Sequence, residues 1–298
     1  NITISEHKYT YSLLAQELIN HKRVLCIVNS RRHALELYRE LISSADKSVP
    51  TFHLSRSMCS AHILETIEEI KKILSDSAKG IRIISTQLIE AGVDIDFPVV
   101  YRQLSGLDSI LQAAGRCNRE GKLQQGTTIV FSFQEERETG VLRVAADTMK
   151  DMLSLYPDSD WLSPEIMRLY FEKLYHRTPY FDKEGIQELL SNPKNCQFEE
   201  ASKKFSLVNE TGTNIIVNFG NSEELINQLK YSGPSRKLSR QLGRFSVTVP
   251  ERTFKEFRKA GLIEEPFPGF FFIPLASQYD QAMGLKPEND YVEQIFTI

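Results

Sequence analysis

The sequence predicts an α/β protein: a mostly parallel sheet flanked by helices, then a helical connector, then a small α+β domain. Three observations carry that expectation. Short β-branched runs alternate with longer helical patterns over the first half of the chain. The strand rhythm stops after Phe133, where segments of mixed acidic and basic character follow. Beyond Asn192-Pro-Lys-Asn195 the pattern turns to short mixed elements.

Taken in order, strands are expected at 24–28, 51–54, 81–85, 99–102 and 127–133, because each is a short apolar run rich in β-branched residues. Helices lie between them: Ala34, Leu37, Tyr38 and Leu41 recur at helical spacing, as do Ile63, Ile67, Ile70 and Leu74. Such stripes are ordinarily core. Residues 140–156 and 164–175 read as connector helices, residues 214–218 as a strand, 222–230 as a helix and 269–274 as an aromatic strand. A length of 298 residues with 41% hydrophobic content exceeds what one core usually fills. The expected division is 1–138, a helical connector over 139–194, and a small domain over 195–298.

Composition excludes more than it identifies. No window approaches the ~18 consecutive apolar residues of a membrane span, and the first twenty residues lack signal-peptide character, so a cytoplasmic, membrane-free protein is expected. Cys26, Cys59, Cys117 and Cys196 have none of the paired spacings of metal or redox sites, and Cys26 reads as a small buried hydrophobe. A net charge of -3 argues against nucleic-acid binding through bulk positive charge, although a local groove can still be basic.

Ligands of an open parallel sheet bind beyond the carboxyl ends of its strands, and three polar loops fall there: Asn29-Ser-Arg-Arg32, Ser55-Arg56 and Ser85-Thr-Gln87. Further along stands Gln112-Ala-Ala-Gly-Arg116-Cys-Asn-Arg119. On a helix beginning near Asp108, Gln112, Arg116 and Arg119 share one face, and Gly115 lets that face approach another body. Two guanidinium forks suit charge developing on a transferred phosphoryl group. The plainer alternative is a capping box from Ser109 to Gln112 with arginines complementing the helix dipole. In Glu90-Ala-Gly92-Val-Asp94-Ile-Asp-Phe97, a carboxylate beyond a close-approach glycine can hold a ribose hydroxyl or a metal-bound water; alone, a turn with a solvated aspartate explains it as well.

Together, residues 85–97 and 112–119 resemble motifs V and VI of superfamily 2 helicases. Their wording most resembles the CRISPR-associated helicase-nuclease recruited by type I Cascade complexes. Val24-Leu-Cys-Ile-Val-Asn29-Ser30 is similar to motif IV, and the segment from His53 to His62 to that family's loop after the next strand. The resemblance implies a second RecA-like lobe. In it Ser30, Ser55, Arg56, Thr86 and Gln87 would contact DNA phosphates. Gly92, Asp94, Gln112, Arg116 and Arg119 would face ATP, with Arg116 and Arg119 catalytic. It also implies 3′-to-5′ translocation on single-stranded DNA and work with a Cascade surveillance complex carrying guide RNA. His62 reads as a helix-surface or core histidine. Arg236, Lys237, Arg240 and Arg244 could close over the strand, though a solvated helix face is favoured.

No Gly-x-x-x-x-Gly-Lys-Ser/Thr pattern and no histidine-aspartate nuclease motif occurs in these residues. The expectation is therefore the C-terminal part of a longer protein, inactive alone. A first RecA-like lobe would bind ATP and Mg2+, and a nuclease domain would hold any transition metal. Two other classes stay open: a docking module without catalysis, and a superfamily 2 RNA helicase lobe.

Overall fold

The computed structural model describes residues 1–44, 48–90, 93–135, 140–157, 159–178, 182, 184–191, 196–205 and 212–286. The first half lays down β1 (Ile2–Tyr9), α1 (Tyr11–Ile19), β2 (Arg23–Val28), α2 (Arg31–Ser44), β3 (Thr51–Leu54), α3 (Ser60–Leu74), β4 (Ile81–Thr86), β5 (Val99–Gln103), α4 (Leu107–Ala114) and β6 (Thr127–Phe133). All six strands are parallel, in the order β1-β6-β5-β2-β4-β3. The five expected strands are present. The sixth, β1, and its helix α1 were not anticipated. β1 is mostly exposed and carries Ser5-Glu6-His7-Lys8, so its apolar alternation is broken, as suits an edge strand.

Strand β2 shows how the sequence builds two layers. Val24, Cys26 and Val28 enter the core against α1 and α2, while Leu25 and Ile27 enter the core against α3 on the other face. Both sets are fully buried, hence the continuous apolar run of a doubly covered parallel strand. After β2 the chain steps outward to β3, and after β4 it crosses to β5 on β2's other side. The topological switch thus lies at the carboxyl ends of β2 and β5, the crevice where open α/β sheets take ligands.

Next come α5 (Gly140–Leu155) and α6 (Pro164–Arg177). They are not a loose tether: Met149, Met152, Trp161, Ile166 and Tyr170 form one core with Leu104, Leu107 and Ile110 around α4. Short helices α7 (Ile186–Ser191) and α8 (Phe198–Lys204) follow. The boundary anticipated at Asn192–Asn195 lies outside the described residues.

The last region contains β7 (Thr213–Val217), α9 (Ser222–Ser232), α10 (Arg236–Leu242), β8 (Ser246–Val249), α11 (Glu251–Lys259), β9 (Glu264–Phe267), β10 (Phe270–Ile273), β11 (Tyr279–Asp280) and β12 (Gly284–Leu285). A four-stranded mixed sheet, β8-β7-β10-β9, packs on α9, α10 and α11 through Ile215, Val217, Leu229, Leu242 and Phe257. The hairpin β11-β12 then fastens this region to the first sheet's loops. The Tyr279 hydroxyl accepts from the Cys59 amide (2.9 Å) and lies 2.9 Å from Nδ1 of His62, whose Nε2 donates to the Gln281 carbonyl (2.9 Å). His62 stacks on Phe219. It is a core histidine, and one that joins the two regions. Gly284 sits at φ +82° against the Ser57 carbonyl, with Leu285 N–H bonded to that same oxygen at 2.7 Å; any Cβ there would overlap it.

Beneath this strap, His53 is 2% exposed, and neither ring nitrogen makes a hydrogen bond among the described residues. Burial pushes its pKa down from 6.5 to about 4, opposed in part by the backbone of Ala282. The unfolded chain takes up a proton near pH 6.5 that the folded chain refuses until about 4. His53 therefore contributes stability above pH 6.5 that is lost as pH falls through this window, by an order of about 3 kcal/mol in all. Thermal unfolding of the wild type is expected to lose midpoint steeply from pH 6.5 to 4.5, and His53→Leu to show a shallower loss; parallel slopes would refute the assignment.

Candidate functional site

Two surfaces of the first sheet gather the residues singled out by sequence. At the carboxyl edge, one cavity of about 480 Å³ is lined by Asn29, Arg31, Arg56, Thr86, Gln87 and Leu88. The convergence of three loops predicted from the strand ends is realised, and Arg31 joins it. Loss of solvation, then the like charge of Arg56, lowers the Arg31 pKa, which places two guanidiniums on one small cavity. Such a concentration suits an anion, and a phosphodiester in particular. Arg31 also donates to the Thr248 carbonyl of β8 (3.3 Å), so the C-terminal region helps aim it.

Two predicted phosphate contacts behave differently there. Ser55 is fully buried, and its hydroxyl accepts from the Ser57 amide (3.2 Å), closing the turn that leads Arg56 outward. In this structure it shapes the loop and has no exposed surface. Ser30 caps α2 by accepting from the His33 amide (3.0 Å) while remaining partly exposed. Thr86 and Gln87 are both partly exposed at the end of β4.

The second surface joins residues 94–97 to residues 116–120. The Phe97 amide donates to the Arg116 carbonyl (3.0 Å) and the Asn118 amide to the Phe97 carbonyl (2.9 Å), a short parallel bridge. Asp96 accepts from the amides of Arg119 (2.7 Å) and Glu120 (3.4 Å). Asn118 has φ +50°, and its side-chain amide exchanges two bonds with the backbone of Leu123 (2.8 and 2.9 Å), which fixes the turn. Arg119, 45% exposed at its side chain, meets the 79% exposed Asp94 at 3.3 Å. This surface pair is worth little in stability, so its placement is its main content.

The helical face expected for Gln112, Arg116 and Arg119 is corrected by this geometry. Helix α4 starts at Leu107, beside the expected Asp108, but ends at Ala114, with Gly115 as its C-cap; Arg116 and Arg119 lie in the turns beyond. Gln112 is exposed on the helix, and the Ser109 capping box does not form. Arg116 is only 9% exposed, and its Nη2 donates to the Glu90 carbonyl (2.6 Å). Burial, then the charge of Arg119, lowers its pKa, but a guanidinium remains charged at neutral pH. Gly92 lies outside the described residues.

Sequence reasoning missed the group that ties both surfaces together. Arg102, at 0% exposure, places Nε 3.0 Å from Glu90 Oε1, while its Nη1 donates to Asn29 Oδ1 (2.6 Å) and to the Gln103 carbonyl (2.7 Å). Asn29 in turn donates to the Leu104 carbonyl (2.8 Å) and, from its amide, to Gln103 Oε1 (2.9 Å). Burial raises the Glu90 pKa, opposed by Arg102. The available signal was an arginine at the end of an otherwise apolar strand, since a buried charge requires a partner. Among the described residues, no group of three or more His, Cys, Asp or Glu could hold a metal ion, and no helix is long and apolar enough to cross a membrane.

Residues 20–122 match the family model described as CRISPR-associated nuclease/helicase Cas3, C-terminal. The chain is 30% identical over 178 residues to the CRISPR-associated nuclease/helicase Cas3 of Methanothermobacter thermautotrophicus, covering 58% of this chain and 20% of that protein. Over 72 residues it is 46% identical to the Haloferax volcanii protein of the same name, covering 24% of this chain and 8% of that protein. The chain thus spans a fifth or less of these curated relatives. Its fold is similar to the crystal structure of T. fusca Cas3, with TM-score 0.63 and 14% identity over 96% of this chain and 42% of that one. It is also similar to a chain of a CRISPR RNA-guided surveillance complex, pre-nicking, with TM-score 0.56 and 13% identity over 96% of this chain and 44% of that one. Taken together, the matches make this chain similar to the C-terminal part of Cas3 proteins.

Replacing Arg102 by Met strands the Glu90 carboxylate in the core, with an expected loss of about 3–5 kcal/mol in urea unfolding. Replacing both residues by Met should recover much of that loss. A double variant no better than the single one would show that the pair is not coupled.

Proposed function

We propose that the chain forms the second motor lobe and C-terminal domain of an ATP-driven translocase on single-stranded DNA, acting with a nuclease in CRISPR interference. One observation carries the reading: the bridge between residues 94–97 and 116–120 presents Arg119 beside Asp94 at the surface. Arg31 and Arg56 meanwhile line a separate cavity on the same sheet. A nucleotide face and a phosphate-binding face on one lobe are what a two-lobed motor needs.

In this reading Arg119 is the guanidinium offered across a cleft to a triphosphate, releasing Asp94 when the cleft closes. Asp94 then turns to the nucleotide. Arg116 stays inside and holds the Glu90 backbone, so its contribution comes through position. Gln112, exposed on α4, and Gly92 complete the ATP-facing set. On the other face Ser30, Arg56, Thr86, Gln87 and Arg31 contact the DNA backbone, with Ser55 shaping their loop. ATP and Mg2+ are held mainly by a first RecA-like lobe that supplies the P-loop, a pattern these 298 residues do not contain. Any transition metal belongs to the nuclease domain. Movement is 3′-to-5′, and the substrate is delivered by a Cascade complex with guide RNA in a prokaryotic cytoplasm. The motor lobe comprises residues 1–138, the connector 139–194 and the C-terminal domain 195–298.

Changing Arg119 to Ala in the motor reconstituted with its first lobe is expected to lower DNA-stimulated ATP turnover by roughly 10³ to 10⁵. This chain alone should turn over no ATP. Undiminished ATPase in the variant, or no gain when this chain joins the first lobe, would leave only a docking role. Stronger stimulation by single-stranded RNA than by DNA would move the substrate to RNA.

A further inference from the structure

Beside the arginine-lined cavity lies a second one, of about 470 Å³, at the carboxyl ends of β1, β2 and β6. Its walls are aromatic where its neighbour's are cationic. Tyr9, Tyr11, His33 and Phe133 all line it, with Ser30 and Arg32 at its side. The rings brace one another: His33 and Phe133 stand 4.8 Å apart, Tyr11 and Phe133 5.0 Å, and Tyr11 and His33 6.1 Å between centroids. Phe133 and Tyr9 are buried, and His33 is held by Gln103 Oε1 at 3.1 Å, whereas Tyr11 is only half-buried. Tyr11 is thus the aromatic wall residue with surface toward solvent, packed against His33 and Phe133.

Both cavities share Asn29, and the turn from Asn29 into the start of α2 is the partition between them, with Arg31 lining one cavity and Arg32 the other. The partition is rigid, because Asn29 is bonded to Arg102, Gln103 and Leu104 of the neighbouring strand. Because the two cavities adjoin at Asn29, a strand whose phosphates sit in the cationic one can place a neighbouring base in the aromatic one.

We propose that the aromatic cavity is a base-accepting subsite: a nucleobase of the bound single strand leaves its neighbours and stacks on Tyr11, while Arg31 and Arg56 hold the phosphates beside it. The inference rests on the nucleic-acid reading above and deepens it. Stacking on an aromatic ring is sequence-tolerant, so the subsite grips any base without selecting one. A base seated behind the Asn29–Arg32 partition also blocks the strand from slipping along the phosphate-binding edge, which backbone contacts alone do not.

The test uses the full chain and a fluorescent thymidine oligomer, read by anisotropy, against the same oligomer with a single abasic site moved along it. For the wild type, one abasic position is expected to weaken binding roughly tenfold while the others change it little. Tyr11→Ala should weaken binding of the intact oligomer by about the same factor and abolish the abasic penalty, with Tyr11→Phe behaving as wild type. A flat abasic scan, or a penalty that survives Tyr11→Ala, overturns the subsite. Arg31→Ala and Arg56→Ala separate the two levels. If they weaken binding and the scan is flat, only the subsite fails. If neither weakens binding, or no oligomer binds, the nucleic-acid reading fails with it.

Discussion

The fold's two candidate surfaces depend on a charge that the core cannot leave unpaired. Arg102 stands in the middle of the parallel sheet with no exposed surface, and its charge is met by the Glu90 carboxylate, Asn29 Oδ1 and the Gln103 carbonyl. An apolar residue would fill the space more simply. The charge instead makes three separate segments settle in one arrangement: the loop after β2, the end of β5 and the segment after β4. Arg116 extends the arrangement by binding the Glu90 carbonyl, so the turn that carries Arg119 is set by the same group that sets Asn29. Neither surface can be moved far without disturbing this buried pair, a constraint that surface ion pairs such as Arg119 with Asp94 do not impose.

What the sequence made legible follows from which signals are local. The four inner strands carry apolar runs because both faces are covered, and that pattern is readable residue by residue. The convergence of three strand-end loops was readable too, since parallel strands necessarily present their carboxyl ends together. β1 was not, because an edge strand with Glu6, His7 and Lys8 looks like a polar loop until β6 is placed beside it. The helical reading of Gln112, Arg116 and Arg119 failed for a related reason. Gly115 was taken as a close-approach residue inside a helix, whereas it terminates one. Spacing of four and three positions implies a shared face only while the helix continues. Ser55 shows the remaining kind of error: a hydroxyl after a strand can serve the turn itself as readily as a ligand. Motif wording pointed to these segments, but tertiary partners decide which of their side chains face outward.

The C-terminal region is a part of the first sheet's loops as much as a separate body. Tyr279 and His62 share a proton network that also holds the Cys59 amide, and Arg31 reaches the Thr248 carbonyl on the edge of the second sheet. Both attachments fall on the loops at the carboxyl edge, and both use directional bonds as well as apolar contact. The connector joins at another place, under α4, where Trp161 and Tyr170 close a core of their own. The lobe is thereby held from two sides, and its exposed edge is left to the loops that carry Arg31, Arg56 and Gln87.

The pairing of β1 with β6 has a consequence in time. Ile2 lies opposite Thr128, more than a hundred residues away along the chain, whereas β2, β3 and β4 find one another within residues 23–86. Of these six strands β1 comes first along the chain, yet it has no partner until β6 has been made. Strands β2, β3 and β4 can assemble early, and β1 is the last of the six to find its place. Until then β6 keeps a bare outer edge, and β1 waits as a largely polar strand with little apolar surface to attract a wrong neighbour. The weak patterning that hides β1 from a sequence reader is the property that makes the wait safe.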